Sequence, residues 1–425
     1  KVLTRATTHA SGPDDRPNVR VDCFATYTNT VPAGAFRGFG VTQSCFAAES
    51  NMDILAEKLG LDPVEFRRRN ALEVGSTTVT GQVMRESVGL LECIDRVNDD
   101  MRNGDFRWTW DEGHKRLAWG LAVGYKNTGL GGGAPDKATA EVEAWQDAEK
   151  GLVAVVRISS AEMGQGLPGV LAACAAEELG IPTENVSVLL GDTDVCPDGG
   201  PTTASRQSYV SGNAARHAAR DVAEKLAAAP GTRVVAQHEY WAPATQPLGT
   251  GGDMHVGFSF VAQAALCEID LRSGEVQVRQ IIAAHDVGRA LNPLTLEGQI
   301  EGGIVMCIGY ALTEHYIQED GKPWTNVMAR YKTPSITHAP PITSHIVEHE
   351  LSTGPFGAKG MGELPSIVTA PAITNAIYNA TGVRVRSLPV DQDSLLRAMH
   401  AEAPEVELGW GDREPIPTIE FGARH

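Results

Sequence analysis

No CxxC pair occurs anywhere in these 425 residues, although there are seven cysteines, at 23, 45, 93, 174, 196, 267 and 307. Wide spacing and an odd count argue against a disulfide framework, a zinc knuckle or a sequence-local iron–sulfur loop, and for a reducing compartment. Long apolar runs are also missing. The longest, such as "GGIVMCIGYAL" at 302–312, falls short of the roughly 20 residues that a membrane span requires. Basic blocks are scarce: "EFRRRN" at 65–70 is the densest, against a formal net charge of −17. Such a surface repels phosphate backbones, so nucleic acid is not an expected partner. The sequence opens on Lys-Val-Leu, without an initiator methionine or a charged-then-apolar segment, so the cytoplasm is the expected location.

What is present is enough chain, 42% hydrophobic, for two or three domains. Residues 1–135 form a first segment. They carry the loop "GAFRGFG" (34–40), a helix through "FAAESNMDILAEKLG" closed by Gly60, and a second helix with Asp62 as N-cap and Pro63 in its first turn. The stretch 75–135 reads as looser and ends in the glycine-rich boundary "NTGLGGGAP" (127–135). From 136 to 256 the order is strand, turn, strand, glycine-rich loop, helix. The same order recurs in 257–401, predicting an internally duplicated α+β fold whose loops meet at a shared sheet edge. Residues 402–425 read as a surface tail.

Four stretches carry candidate chemistry. "HIVEHE" (345–350) matches a zinc-peptidase pattern through His345, Glu348 and His349, but its alternation between proline-rich flanks predicts a strand, which would split the ligands between two faces. "AEMGQG" (161–166) and "PTTASRQSYVSG" (201–212) sit between strand and helix. Glycines there admit backbone N–H groups to an anion, and Gln165, Ser205 and Ser208 add polar side chains; taken alone each loop reads better as an ordinary turn and cap, and the two together carry more weight. "GAFRGFG" presents Phe36 and Phe39 around Arg37, either as stacking surface for a planar ligand or as plugs for the core. Glu363, after Gly357, Gly360 and Gly362, is either a favourable charge at a helix start or a partly buried general base.

In order, "GAFRGFG", "EMGQG", "PTTASRQSYVSGNA", "HDVGRALNP…EGQIEGG" and "GAKGMGELPSIVTAPAITNAI" resemble the molybdenum hydroxylase family of xanthine dehydrogenase, aldehyde oxidase and nicotinate dehydrogenase. The resemblance runs from about residue 15 to 400 and implies the C-terminal part of the molybdopterin-binding subunit. It implies Glu363 as the catalytic base and Phe39, with Arg37 and Phe36, on the substrate side. It also implies Gly164, Gln165, Gly166, Ala204, Ser205, Gln299, Gly38 and Gly362 around the cofactor, with molybdenum held by the pterin and by no side chain. The expected reaction is insertion of water-derived oxygen into a C–H bond of an N-heteroaromatic substrate, nicotinate-like or purine-like. An aldehyde-oxidising member, a non-catalytic subunit and, remotely, a zinc hydrolase built on "HIVEH" are the alternatives. Expected cofactors are molybdopterin in its cytosine dinucleotide form here, with [2Fe-2S] clusters and FAD on partner subunits. The other half of the molybdenum subunit is a further expected partner, and without these chains no activity is expected. Purine-oxidising relatives have a second phenylalanine where this chain has about Gly132.

Overall fold

A computed structural model describes residues 2–31 and 33–401; the expected tail at 402–425 lies outside the described residues. In the N-terminal part, α1 (Val2–Thr8) precedes the extended stretch that leads to "GAFRGFG", and α2 (Val41–Leu59) follows it. The second helix begins five residues before the expected stretch, because Gly40 turns through φ 103 and lets Val41 and Thr42 enter the core at once. Asp62 caps α3 (Pro63–Asn70) by accepting from the N–H groups of Val64 and Glu65, as its sequence implied.

The looser stretch is in fact ordered. It contains α4 (Leu90–Met101), the short strand β1 (Thr109–Glu112) and the long strand β2 (Lys115–Thr128). Residues 117–128 of β2 are all buried, so the strand has no polar face, and "LAWGLAVGYKNT" shows no alternation by which a sequence reader would find it.

Two sheets follow one plan. In the first unit the hairpin β3 (Lys137–Asp147) and β4 (Gly151–Ile158) leads through "AEMGQG" into α5 (Leu167–Leu179), and β5 (Val186–Leu190) pairs parallel to β4. Then α6 (Gly212–Ala228) returns the chain to β6 (Val234–Trp241), antiparallel to β3, for an order β5-β4-β3-β6. In the second unit the hairpin is β7 (Gly257–Asp270) and β8 (Val276–Asp286), followed by α7 (Pro293–Leu312). A small ribbon, β9 (Gln318–Glu319) with β10 (Lys322–Pro323), and the single turn α8 (Met328–Tyr331) come before β11 (Ile342–Val347), which pairs parallel to β8. The helices α9 (Thr369–Thr381) and α10 (Gln392–His400) end the described chain. The place that β6 takes beside β3 is taken beside β7 by β2, which comes from the first segment. The duplication is therefore real in three dimensions, but its second copy borrows a strand from before the 135 boundary.

Burial follows this plan. The five-stranded sheet is covered on one side by α2, α7 and α9, through Cys45, Ile304 and Ile373, and on the other by α4, through Leu90, Ile94 and Val97. The four-stranded sheet packs one face on α5 and α6 through Leu171, Ala215 and Ala218. On its β3–β4 ladder the ion pairs of Arg157 with Glu141 and Glu143 lie at the partly exposed positions, the division expected of an antiparallel sheet wet on one side.

Candidate active site

Glu363 lies where the loop from β11 turns toward α9, at the start of a single 3-10 turn, Leu364–Ser366. Its backbone N–H donates to Ser205 Oγ at 3.0 Å, and the same hydroxyl donates to Glu363 Oε2 at 3.3 Å. Lys126 Nζ, on β2, lies 2.9 Å from Oε2. Oε1 has no hydrogen-bond partner among the described residues, and the side chain is 14% exposed. One oxygen is thus anchored and the other is free. Lys126 is 1% exposed; burial depresses its pKa, and Glu363 opposes that depression. Arg5 and Arg37 are also lowered by burial and supported by the Glu363 charge. His9 and His255, beside Arg5, are pushed well below the usual histidine range by burial and stay neutral.

The glycines around Glu363 allow two loops to touch. A Cβ on Gly360 would lie 1.6 Å from the carbonyl oxygen of Ser205, a separation that no side chain tolerates. Neighbouring Lys359 ties the loop to β8 through a buried pair with Asp286, Nζ to Oδ2 2.6 Å. Ser205 itself and Ala204 adopt left-handed backbone, φ 51 and 52.

Glu363 opens onto a cavity of about 760 Å3, within the size range of cofactor and ligand clefts. Phe36, Arg37, Phe39, Gly164, Gln165, Ala204, Ser205, Gln299 and Gly362 line it, drawn from five separate stretches of chain. Gly38 and Gly166 do not, and their roles are in packing. A Cβ on Gly38 would lie 2.1 Å from Thr42 Oγ1, and one on Gly166 3.0 Å from Thr295 Cβ.

Two side chains of "GAFRGFG" make contacts of their own within the protein. Arg37 is a strut: Nε donates to the Gly362 carbonyl at 2.6 Å, and Nη2 donates to Oε1 and the carbonyl of Gln299 at 3.1 and 3.2 Å. Phe36 stacks on Tyr310, with centroids 4.9 Å apart. Only Phe39, held in left-handed backbone at φ 54 and paired with no ring among the described residues, keeps a face for something else. In "AEMGQG" the anion that meets the N–H groups of Gly164, Gly166 and Leu167 is the loop's own Glu162. Gln165 folds back to accept from the Met163 N–H and donate to the Ala161 carbonyl. By contrast, the N–H groups of Thr203, Ala204 and Ser205 find no acceptor among the described residues.

The zinc reading of "HIVEHE" has no geometric support. Its first part is strand β11. His345 Nε2 pairs with Asp100 at 2.7 Å, His349 Nε2 with Glu92 at 3.0 Å, and Glu348 accepts from the Ala290 N–H. Among the described residues no three His, Cys, Asp or Glu side chains converge on one point.

Lys126, Arg5 and the two neutral histidines were not visible as site residues in the sequence. Lys126 and Asn127 are polar residues ending a buried apolar strand, and a charge inside such a run is the signal that would have found Lys126.

The cleft thus combines amide and hydroxyl side chains with one carboxylate that keeps a free oxygen, and among the described residues no cluster of metal ligands forms. Residues 98–340 and 1–71 match the molybdopterin cofactor-binding domain, and the chain belongs to that family. It is similar to the xanthine dehydrogenase molybdenum-binding subunit of Escherichia coli (31% identity, 88% of this chain and 54% of the relative). It is likewise similar to the nicotine 6-hydroxylase large subunit of Paenarthrobacter nicotinovorans (29%, 93% and 55%). Among solved structures, the aldehyde oxidoreductase from Desulfovibrio desulfuricans superposes with a TM-score of 0.81 at 31% identity, over 94% of this chain and 45% of that one. The chain therefore spans about half the length of these relatives. Its residues fit the cofactor: Thr203, Ala204 and Ser205 line the cavity, and their N–H groups, without an acceptor among the described residues, suit an anionic group.

Proposed function

We propose that this chain is the catalytic, pterin-binding part of a multi-subunit molybdenum hydroxylase that inserts water-derived oxygen into a C–H bond of a nicotinate-like or purine-like N-heteroaromatic compound. The observation that carries this reading is the divided environment of Glu363, one oxygen held by Lys126 and Ser205 and the other unpaired beside the cavity. When bound, the molybdopterin group, in our reading its cytosine dinucleotide form, supplies oxygen-transfer and electron-accepting chemistry. The backbone of Ala204 and Ser205, with Gln165 and Gln299, would hold it. Glu363 Oε1 accepts a proton, Phe39 offers its ring to the planar substrate, and the Arg37 strut keeps the Phe39 and Glu363 loops in register. Electrons would leave to iron–sulfur and FAD subunits, and the other half of the molybdenum subunit would close the cleft. The stretches 136–256 and 257–401 are proposed as its two cofactor-binding units, and the cytoplasm as its location.

In the complex reconstituted with those partners, Glu363→Gln should lower turnover by about two to four orders of magnitude, the usual worth of a general base, with bound molybdenum unchanged. Turnover within about tenfold of native removes Glu363 from its role. An aldehyde substrate is the second reading, favoured by the glycines at 131–133, the region where the resemblance implies a second phenylalanine in purine-oxidising relatives. Turnover assays with nicotinate, xanthine and simple aldehydes separate the two.

A further inference from the structure

Lys126 is a costly residue to place where it is. Its ammonium is buried in the end of a strand, and burial penalises the charged form. A buried ion pair generally gains no stability over apolar side chains of similar size, so packing alone does not account for it. Its surroundings are particular. Nζ donates to Asn127 Oδ1 at 2.7 Å and meets Glu363 Oε2 at 2.9 Å, and Arg5 lies near enough to oppose its charge. No other carboxylate pairs with Lys126 among the described residues. Ser205 binds the same Oε2 and also the Glu363 N–H, so the hydroxyl and the ammonium together leave the carboxylate one free oxygen.

We propose that Lys126 is a positioning residue of the reaction: by anchoring Oε2 it fixes the plane of the Glu363 carboxylate and directs Oε1 at the proton to be taken. This rests on the reading of Glu363 as the base. A freely rotating carboxylate would present either oxygen at varying distances, and a misplacement of about 1 Å costs about 100-fold in a proton-transfer geometry. The contribution is to the reacting arrangement and not to substrate binding, so it belongs to kcat.

The test uses the holoenzyme complex. Lys126→Met should lower kcat by roughly 10- to 100-fold, with KM within about twofold and molybdenum content unchanged. Lys126→Gln serves if the methionine variant does not assemble, and Lys126→Arg, which keeps a cation at Oε2, should recover most of the loss. In a Glu363→Gln background Lys126→Met should add less than about twofold, because a residue acting through Glu363 has nothing left to position. The crystal structure of the variant should show the carboxylate turned from its native plane. A kcat within twofold of native, a loss that multiplies with that of Glu363→Gln, or an equal loss in Lys126→Arg overturns the proposal. An active Glu363→Gln enzyme instead overturns the assignment of the base itself, so the two failures are told apart.

Discussion

Ser205 and Gly360 make the closest backbone encounter in the site, and the chemistry assigned to Glu363 depends on it. Any side chain at 360 must push the Ser205 carbonyl away, and with it the hydroxyl that holds both the N–H and Oε2 of Glu363. Gly360→Ala is therefore expected to lower both molybdenum content and turnover of the reconstituted complex, while the same substitution at Gly362, where a Cβ meets nothing nearer than 3.8 Å, should retain the metal. Equal metal content in the two variants would show that the loop contact is dispensable. At this scale the sequence was legible where glycine marked it: Glu363 follows Gly362 and Phe39 stands between Gly38 and Gly40. It was illegible where the neighbour comes from far along the chain. Nothing local ties Lys126 to a residue 237 positions later, and nothing local shows that Glu162 would occupy the N–H groups that an anion was expected to use.

Among the elements, a buried arginine joins three. Arg67 on α3 donates to Glu49 Oε2 at 2.8 Å and to Asp53 Oδ1 at 3.0 Å on α2, and the same Glu49 oxygen accepts from the Val123 N–H of β2. Removing Arg67 leaves Glu49 buried without its counter-charge and Asp53 with only Arg384, 4.0 Å away. Arg67→Met should then destabilise the protein by about 3–5 kcal/mol, read as a lower urea midpoint; replacing Arg67, Glu49 and Asp53 together by apolar residues should cost less. If the single and triple variants unfold alike, the network is not what locks these elements. Helix α3 was readable from its cap, and β11 from its alternation between prolines. Strand β2 was not, since a strand buried on both faces loses the period of two that identifies one.

For the molecule as a whole, acid sensitivity follows from its buried histidines. His285 on β8 is fully buried with neither ring nitrogen hydrogen-bonded among the described residues, and burial, then Arg37, pushes its pKa from 6.5 down to about 3. The folded state thus refuses a proton that the unfolded chain accepts. Stability from this group is complete above about pH 6.5 and is lost as pH falls toward 3, a difference of a few kcal/mol, with His9 and His255 adding in the same direction. Denaturation midpoints measured between about pH 7 and pH 4 should fall, and His285→Leu should flatten that slope. An unchanged slope in the variant would assign the acid sensitivity to other groups. No helix among the described residues is long and apolar enough to cross a membrane.

By itself the sequence determined the α+β class, the duplicated hairpin–loop–helix order and the loops that carry polar chemistry. These are local matters, written in periodicity, caps and glycine spacing. Only the tertiary structure decided which loops share one cavity, that Arg37 braces the site and Phe36 stacks on Tyr310 at its wall, and that β2 completes the second sheet and delivers Lys126 to Glu363. Those outcomes depend on strand pairing and close backbone approach between distant segments, and a linear pattern records neither. "FGAKGMGELP" read as a loop presenting a carboxylate, but what the carboxylate faces was settled by the strand behind it.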